Sequence, residues 1–424
     1  MRLYVKKYAA VVLAAGMMLG ATSCGSGSPM GIGKTTETSE ESSADGTDEA
    51  NGEFNANSGK IQKKTKEVEK LIDQYFYFEE DPEKREENYF DGIMEGLDDP
   101  YSVYYTPEEF AKLNEDDSGE YVGIGATVSK TVEDGKVYVV KPLRGSPAEA
   151  VGLLPGDVFV QIDDIEVTTD MELEEVVNYI RGKEGTTAHL KMYREGEPDF
   201  LEFDITRATI QNITVEYEML DNKIGYITVD QFIENTPEQF KEGIDSLLGQ
   251  GAKSLVIDMR NNPGGLLTAV NEMTDYIIKD DAVAEGAKTP GIQISVKDKS
   301  GKVINDYKCS DGHSIDVPMV VLVNGNSASA AEIFTADMKD YGIATIIGTT
   351  TFGKGIVQSV IPLSDGSAIK ITIAKYFTPA EHDIHKVGIE PDIEIDVSDE
   401  QKRMVEIPHD EDPQLQKAIE VLTK

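Results

Sequence analysis

Apolar and polar positions divide this chain into stretches with different periods. Arg2, Lys6 and Lys7 make a basic start, and an apolar run follows from Tyr8 to Ala21. That run is short for a membrane-spanning helix and has the layout of an export signal. From Gly25 to about Lys60, Ser, Thr, Gly, Glu and Asp dominate and large apolar residues are almost missing. Such a stretch buries too little surface to offset its ordering entropy, which predicts a disordered acidic tether. From Ile61 the pattern turns helical, with Val68, Leu71, Ile72 and Tyr75 at helical spacing. A second helix is predicted from Glu83 to Leu97, stopped by Asp98-Asp99-Pro100. Tyr101, Tyr104 and Tyr105 follow and read as packing residues.

From about Gly119 short apolar runs alternate with glycine. Strands are predicted from Gly123 to Val128, Val137 to Val140, Asp157 to Ile162, Ala188 to Tyr193 and Phe200 to Ile205. A short helix is expected between Gly145 and Leu153, and another from Met171 to Ile180. The last half alternates strands with helices and reads as α/β. Its strands run from Lys223 to Val229, Ser254 to Met259, Pro318 to Val323, Ile343 to Ile347 and Ala368 to Tyr376. Helices are expected from Thr236, with Thr as N-cap and Pro at the first position, from Leu266 to Ile278, after Ser329 to Asp340, and from Gln414 to Leu422.

Charge narrows the partners. The chain has 424 residues, 78 Asp and Glu against 40 Lys and Arg, and a net charge of −38. Phosphate backbones are repelled by such a surface, so nucleic acid is not an expected partner. The two cysteines, Cys24 and Cys309, give neither a disulfide framework nor a zinc spacing. Ala21-Thr22-Ser23-Cys24 resembles a bacterial lipobox, although a larger aliphatic residue usually stands where Ala21 is. Cleavage there would leave Cys24 as a lipidation site and anchor the protein on the outer face of the cytoplasmic membrane, within the bacterial cell envelope.

The candidate chemistry lies in the last half. In open α/β sheets, loops at the carboxyl ends of strands gather into one site. Gly264-Gly265 and Ser329 each follow a buried strand and precede a helix, so they should be neighbours. A serine hydroxyl needs a base, and a lysine serves when desolvation brings its pKa towards neutrality. Lys354, in Thr351-Phe352-Gly353-Lys354-Gly355, lies one apolar strand further on. The backbone N–H groups of Gly265 and Ala330 are the candidate oxyanion donors. Ser327 stands as an alternative nucleophile.

Two resemblances sharpen this reading. Gly145-Ser146-Pro147-Ala148 and Leu154-Pro155-Gly156-Asp157 resemble a circularly permuted PDZ domain of bacterial proteases. That resemblance implies a carboxylate-binding nest near Gly123, Ile124 and Gly125. From roughly Gly119 onward the chain looks like a carboxyl-terminal processing peptidase of the S41 family. The carrying motifs are Arg260-Asn261-Asn262-Pro263-Gly264-Gly265, Ser327-Ala328-Ser329-Ala330-Ala331-Glu332-Ile333, Thr351-Phe352-Gly353-Lys354-Gly355 and Gly388-Ile389-Glu390-Pro391-Asp392. The family usually has Ser where Ala331 stands. The resemblance implies Ser329 as nucleophile, Lys354 as general base and Gln358 as the third member, with no metal and no cofactor. It implies a multi-domain α/β chain: a crotonase-like S41 core, an inserted PDZ domain and N-terminal helices. The expected boundaries are 1–23 for the signal, 24–60 for the tether, 61–118 for the helical segment, 119–207 for the PDZ domain and 208–424 for the peptidase domain. Partners would be proteins or peptides with free C-termini, and a homo-oligomer is compatible.

Other readings fare worse. Gly348 to Lys354 has Walker A spacing, but Gly355 stands where a hydroxyl must reach Mg²⁺. No G-x-S-x-G occurs, and His382 and His385 do not form an H-E-x-x-H pattern. A catalytically silent PDZ scaffold of the envelope would not need Ser329, Lys354 and Gln358 together.

Overall fold

A computed structural model describes residues 55–132, 134–404 and 407–424. The export signal, Cys24 and nearly all of the tether lie outside the described residues. Helices Gly59–Tyr75 and Pro82–Glu95 form a unit of their own. The first is capped by Ser58 and the second by Asp81, with Pro82 in its first turn. The second helix ends at Glu95, capped by Gly96, ahead of the Asp98-Asp99-Pro100 stop. Among the described residues no helix is long and apolar enough to cross a membrane.

The main sheet of the larger unit has six strands. In spatial order they are Val215–Leu220, Ile224–Val229, Ser254–Asp258, Met319–Val323, Ala344–Gly348 and Ile393–Glu394. Only the first pair is antiparallel. Strands covered on both faces read as continuous apolar runs. Accordingly, Leu255 and Ile257 join one core, while Val256 between them joins the other. Helices Thr236–Gly249, Leu267–Ile277 and Ala330–Asp340 bury Phe240, Val270, Met273 and Phe334 in the larger core. Helix Pro413–Leu422 covers the opposite face with Leu415 and Ala418.

A second sheet carries Val103–Tyr105, Ala368–Phe377, Ile292–Lys297 and Val303–Lys308, with Ile356–Pro362 also paired to Ala368–Phe377. Here the structure departs from expectation. Residues Val103–Tyr105 fall within the stretch expected to be helical, yet they pair with Ala368 to Lys370. A three-residue strand has too little period to be read alone, and its pairing partner lies far away in sequence. Thr236 is not the N-cap but the first helical residue, preceded by Asn235. Its hydroxyl instead accepts the Ile233 N–H at 3.0 Å and bonds Thr214 Oγ1 at 2.7 Å.

The inserted domain is a sheet ordered Ala126–Lys130, Val137–Pro142, Val158–Ile162, Thr187–Tyr193 and Leu201–Thr206, with helix Leu173–Ile180. It buries its own core, including Val139, Phe159, Val176, Leu190 and Met192. The single strand expected from Gly123 to Val128 is broken. Gly123 ends Glu120–Gly123, which pairs with Ala208–Gln211, and Ala126 begins the next strand. Gly125, at φ +75°, makes the break.

Candidate active site

Three loops at the carboxyl edge of the main sheet build the site. After Asp258, Arg260 is held by Asp258 and by Asp412 at the start of the last helix, the latter at 2.7 Å. Asn262, fully buried, stitches the next turn. Its Nδ2 donates to Val229 O at 2.7 Å, and its Oδ1 accepts the Gly264 N–H at 2.8 Å. Its own carbonyl accepts the Ala328 N–H at 2.9 Å, which ties this loop to the one carrying Ser329.

Close approach explains the two glycines. A Cβ on Gly264 would stand 2.7 Å from Ser329 Cβ and 2.9 Å from Ala330 N, and one on Gly265 would stand 2.0 Å from Phe232 O. The Gly264-Gly265 backbone therefore passes directly beside Ser329 and Ala330. Leu266 N–H donates to Phe232 O, and Phe232 N–H to Gly264 O, which leaves the Gly265 N–H outside that bridge. Among the described residues neither the Gly265 nor the Ala330 N–H has a hydrogen-bond partner.

Ser329 sits at the N-cap of Ala330–Asp340 with φ +55° and ψ −116°. A non-glycine residue there costs about 1–3 kcal/mol and persists only where its surroundings impose it. Ser327 is excluded from chemistry by its own bonds. It is fully buried, donates to Met259 O at 2.7 Å and accepts the Asn324 N–H at 3.0 Å.

Glu332 joins the halves of the site. Its carboxylate accepts the N–H groups of Ser329 at 2.9 Å, Gly353 at 2.7 Å and Lys354 at 2.7 Å, and the Thr351 hydroxyl at 2.5 Å. Burial pushes its pKa up, and the four donors pull against that shift. Tyr376, fully buried, adds a second tie: its hydroxyl donates to Lys354 O at 2.6 Å and lies 3.2 Å from Ser329 O. One carboxylate and one phenol thus bring the Ser329 and Lys354 backbones together.

Lys354 is only 6% exposed. Burial lowers its pKa to about 8; Lys370 adds to that shift, while Glu332 and Asp99 oppose it. Its Nζ lies 4.8 Å from the centre of the Tyr101 ring. Gln358, also buried, lies within the next strand, Ile356–Pro362, and places Nε2 3.4 Å from Thr372 Oγ1. Sequence reasoning missed Glu332, Tyr376, Tyr101 and Asp99. In sequence Tyr101 reads as a packing residue and Asp99 as part of a helix stop. Only Glu332 carried a local signal, as the acidic residue three positions after Ser329.

The inserted domain offers a groove of about 400 Å³ beside strand Ala126–Lys130, floored by Val177 and Ile180. Gly123, Ile124 and Gly125 line it together, and Ile213, Glu216 and Asp230 line it as well. The N–H groups of Ile124 and Gly125 have no partner among the described residues. Elsewhere, Asp275, Asp280 and Asp311 bring carboxylate oxygens within 4.8 Å of one another. Asp275 accepts the N–H of Ser310 at 2.7 Å, and Asp280 accepts that of Gly312 at 3.3 Å, which ties the group to its own loop.

The model of peptidase family S41 matches residues 223–395, and a PDZ-domain model matches residues 122–205. The carboxy-terminal processing protease CtpA of Bacillus subtilis (strain 168) is 37% identical over 350 residues, covering 82% of this chain and 72% of that protein. A probable CtpA-like serine protease of Staphylococcus haemolyticus (strain JCSC1435) is 39% identical over 334 residues, covering 78% and 64% respectively. The chain thus spans somewhat less than two thirds of that staphylococcal relative. Among solved structures, a photosystem II D1 C-terminal processing protease is 30% identical, with a TM-score of 0.43, covering 72% of this chain and 80% of that one.

Proposed function

The chain belongs to peptidase family S41, and from that premise we propose that it is a serine endopeptidase acting on proteins with free C-termini. Ser329 Oγ attacks the scissile carbonyl carbon while its proton passes to the neutral Lys354 amine. The Gly265 and Ala330 N–H groups face the oxyanion that forms. Lys354 then gives its proton to the departing amine, leaving an acyl group on Ser329 that water removes by the same route. Gln358 orients the lysine amine. The observation that carries this reading is the Glu332 carboxylate, which holds Ser329 and Lys354 together, with Lys354 buried and its pKa lowered to about 8. Ser329→Ala and Lys354→Arg should each lose at least about a thousandfold in kcat/KM, arginine because it stays protonated. Activity that disappears with a chelator and returns with zinc would sink the reading.

The PDZ domain takes the substrate tail as an added strand beside Ala126–Lys130, with its carboxylate at Gly123 to Gly125. A short C-terminal peptide added in trans should stimulate cleavage of a reporter that lacks a tail, and its amidated form should not. Competition by the free peptide instead would mean the domain only tethers substrate. Export and lipidation at Cys24 would place the enzyme on the outer face of the cytoplasmic membrane. Cys24→Ser should release the protein or leave it unprocessed; unchanged fractionation would remove the lipid anchor from this account.

A further inference from the structure

Beyond Gln358 lies a chain of polar groups that no motif announces. Thr372 stands opposite Gln358 on the neighbouring strand. Its hydroxyl donates to Asp99 Oδ2 at 2.7 Å, and its Oγ1 lies 3.4 Å from Gln358 Nε2. Ser102, 5% exposed, donates to the same Asp99 oxygen at 2.7 Å and accepts the Thr372 N–H at 3.1 Å. The Tyr101 N–H adds a bond to Asp99 Oδ1 at 3.2 Å. Burial alone would raise the Asp99 pKa, but the bonds from Ser102, Thr372 and Tyr101 outweigh it and hold it below the usual value.

Polarity runs one way along this chain. An ionised carboxylate only accepts, so the Thr372 proton must point at Asp99. Thr372 then has only lone pairs left for Gln358, and the Gln358 amide must turn its NH₂ toward Thr372. Its carbonyl oxygen is left for the other side. The fixed acceptor at the far end decides the orientation, whichever way the Gln358 oxygen and nitrogen are placed.

We propose that Asp99 is a positioning residue for the reaction, setting through Thr372 which way round the Gln358 amide lies and so presenting Oε1 to the Lys354 amine. This rests on Lys354 being the base. The Tyr101 ring, two residues from Asp99 and 4.8 Å from Lys354 Nζ, closes the same corner over the amine. The charged groups acting on Lys354 are Lys370, Glu332 and Asp99, and Asp99 is itself influenced by His385.

The test uses the full-length protein. Asp99→Asn can donate where aspartate only accepts, so it allows the amide to reverse. It should lower kcat by about 10- to 100-fold with little change in KM. It should also move the acid limb of kcat/KM to lower pH, because Lys354 loses an anion that favours its charged form. Thr372→Val should lose kcat similarly with little movement of the limb, and Thr372→Ser should keep it. The Asp99→Asn, Thr372→Val pair should be no worse than the poorer single variant, since both cut one chain. Full kcat in Asp99→Asn, multiplying losses in the pair, or Thr372→Ser as poor as Thr372→Val would overturn the relay. Trace acetylation of the Lys354 amine against pH, in the Ser329→Ala protein, separates the two levels. A low titration of Lys354 with unaffected Asp99→Asn kinetics removes the relay alone. Titration at the value of an ordinary lysine removes the base reading and the relay with it.

Discussion

The loops carrying Ser329 and Lys354 are built by different means. The Ser329 loop is fixed mainly by backbone groups near it in space. Asn262 O holds Ala328, Met259 O holds Ser327, and Gly264 leaves just enough room for Ser329 Cβ. The Lys354 loop has backbone ties too, from Phe352 N–H to Ser327 O at 3.0 Å and from Lys386 N–H to Gly353 O at 2.7 Å, but it adds side chains drawn from distant positions: Glu332, Tyr376 and, beyond the amine, Tyr101. A nucleophile needs a position, which main-chain geometry can impose even on a strained serine. The proposed base needs a tuned charge as well, which burial and the charges of Lys370, Glu332 and Asp99 set together.

The sharpest way to break this comparison is to remove what the loops share. Glu332→Ala would orphan three buried N–H groups and the Thr351 hydroxyl. An unsatisfied buried donor costs about 1–3 kcal/mol, so a loss of several kcal/mol in urea unfolding is expected, together with most of the activity. A Glu332→Ala protein of native stability would mean that the carboxylate does not hold the loops.

Lys354→Met should split stability from activity. Burial lowers the pKa of the folded lysine from 10.5 to about 8, so between those values the unfolded chain binds more protons. Stability from this group therefore rises with pH across that window, and below about pH 8 the buried charge is a burden. The methionine variant should be inactive yet unfold at higher urea than the parent at pH 7, and the gap should close as pH approaches 10.5. A less stable methionine variant at pH 7 would show that the amine is better accommodated than its burial implies.

Strain at Ser329 gives a smaller effect on the other loop. Ser329→Gly and Ser329→Ala both remove the hydroxyl, but only glycine adopts φ +55°, ψ −116° without strain. The glycine variant should be about 1 kcal/mol more stable than the alanine one by urea midpoint. Equal midpoints would mean that the backbone pays little for this conformation.

The same contrast explains what could be read from the sequence. Ser329, Gly264 and Gly265 were legible because backbone demands leave compact marks: a glycine pair after a buried strand, and a serine before a helix. Many strands of both domains were legible for the same reason, as period and punctuation, but Val215–Leu220, Ile292–Lys297 and Val303–Lys308 were not. Tyr101, Asp99 and the Val103–Tyr105 strand were not. Asp99 and the strand meet Ala368 to Thr372, and Tyr101 meets Lys354, across sequence distances that no local pattern encodes. Thr236 shows the converse error, a good local N-cap signal overridden by a buried contact with Thr214.

The finest test changes only the charge beside the proposed base. Lys370 is 5% exposed, lies over the Tyr105 ring at 5.3 Å, and lowers the pKa of Lys354. Its own pKa is lowered by burial, while Asp117 pulls it up. Lys370→Met would remove a like charge from the neighbourhood of Lys354, so the Lys354 pKa should rise from about 8. The neutral fraction at pH 7 then falls. A rise of about half a unit corresponds to roughly a threefold lower kcat/KM at pH 7, with the parental plateau recovered at high pH. The profile should keep its shape and move toward higher pH. Movement in the opposite direction would mean that Lys370 acts on the base chiefly by holding Asp117, whose pKa burial has raised to about 7, rather than by its own charge.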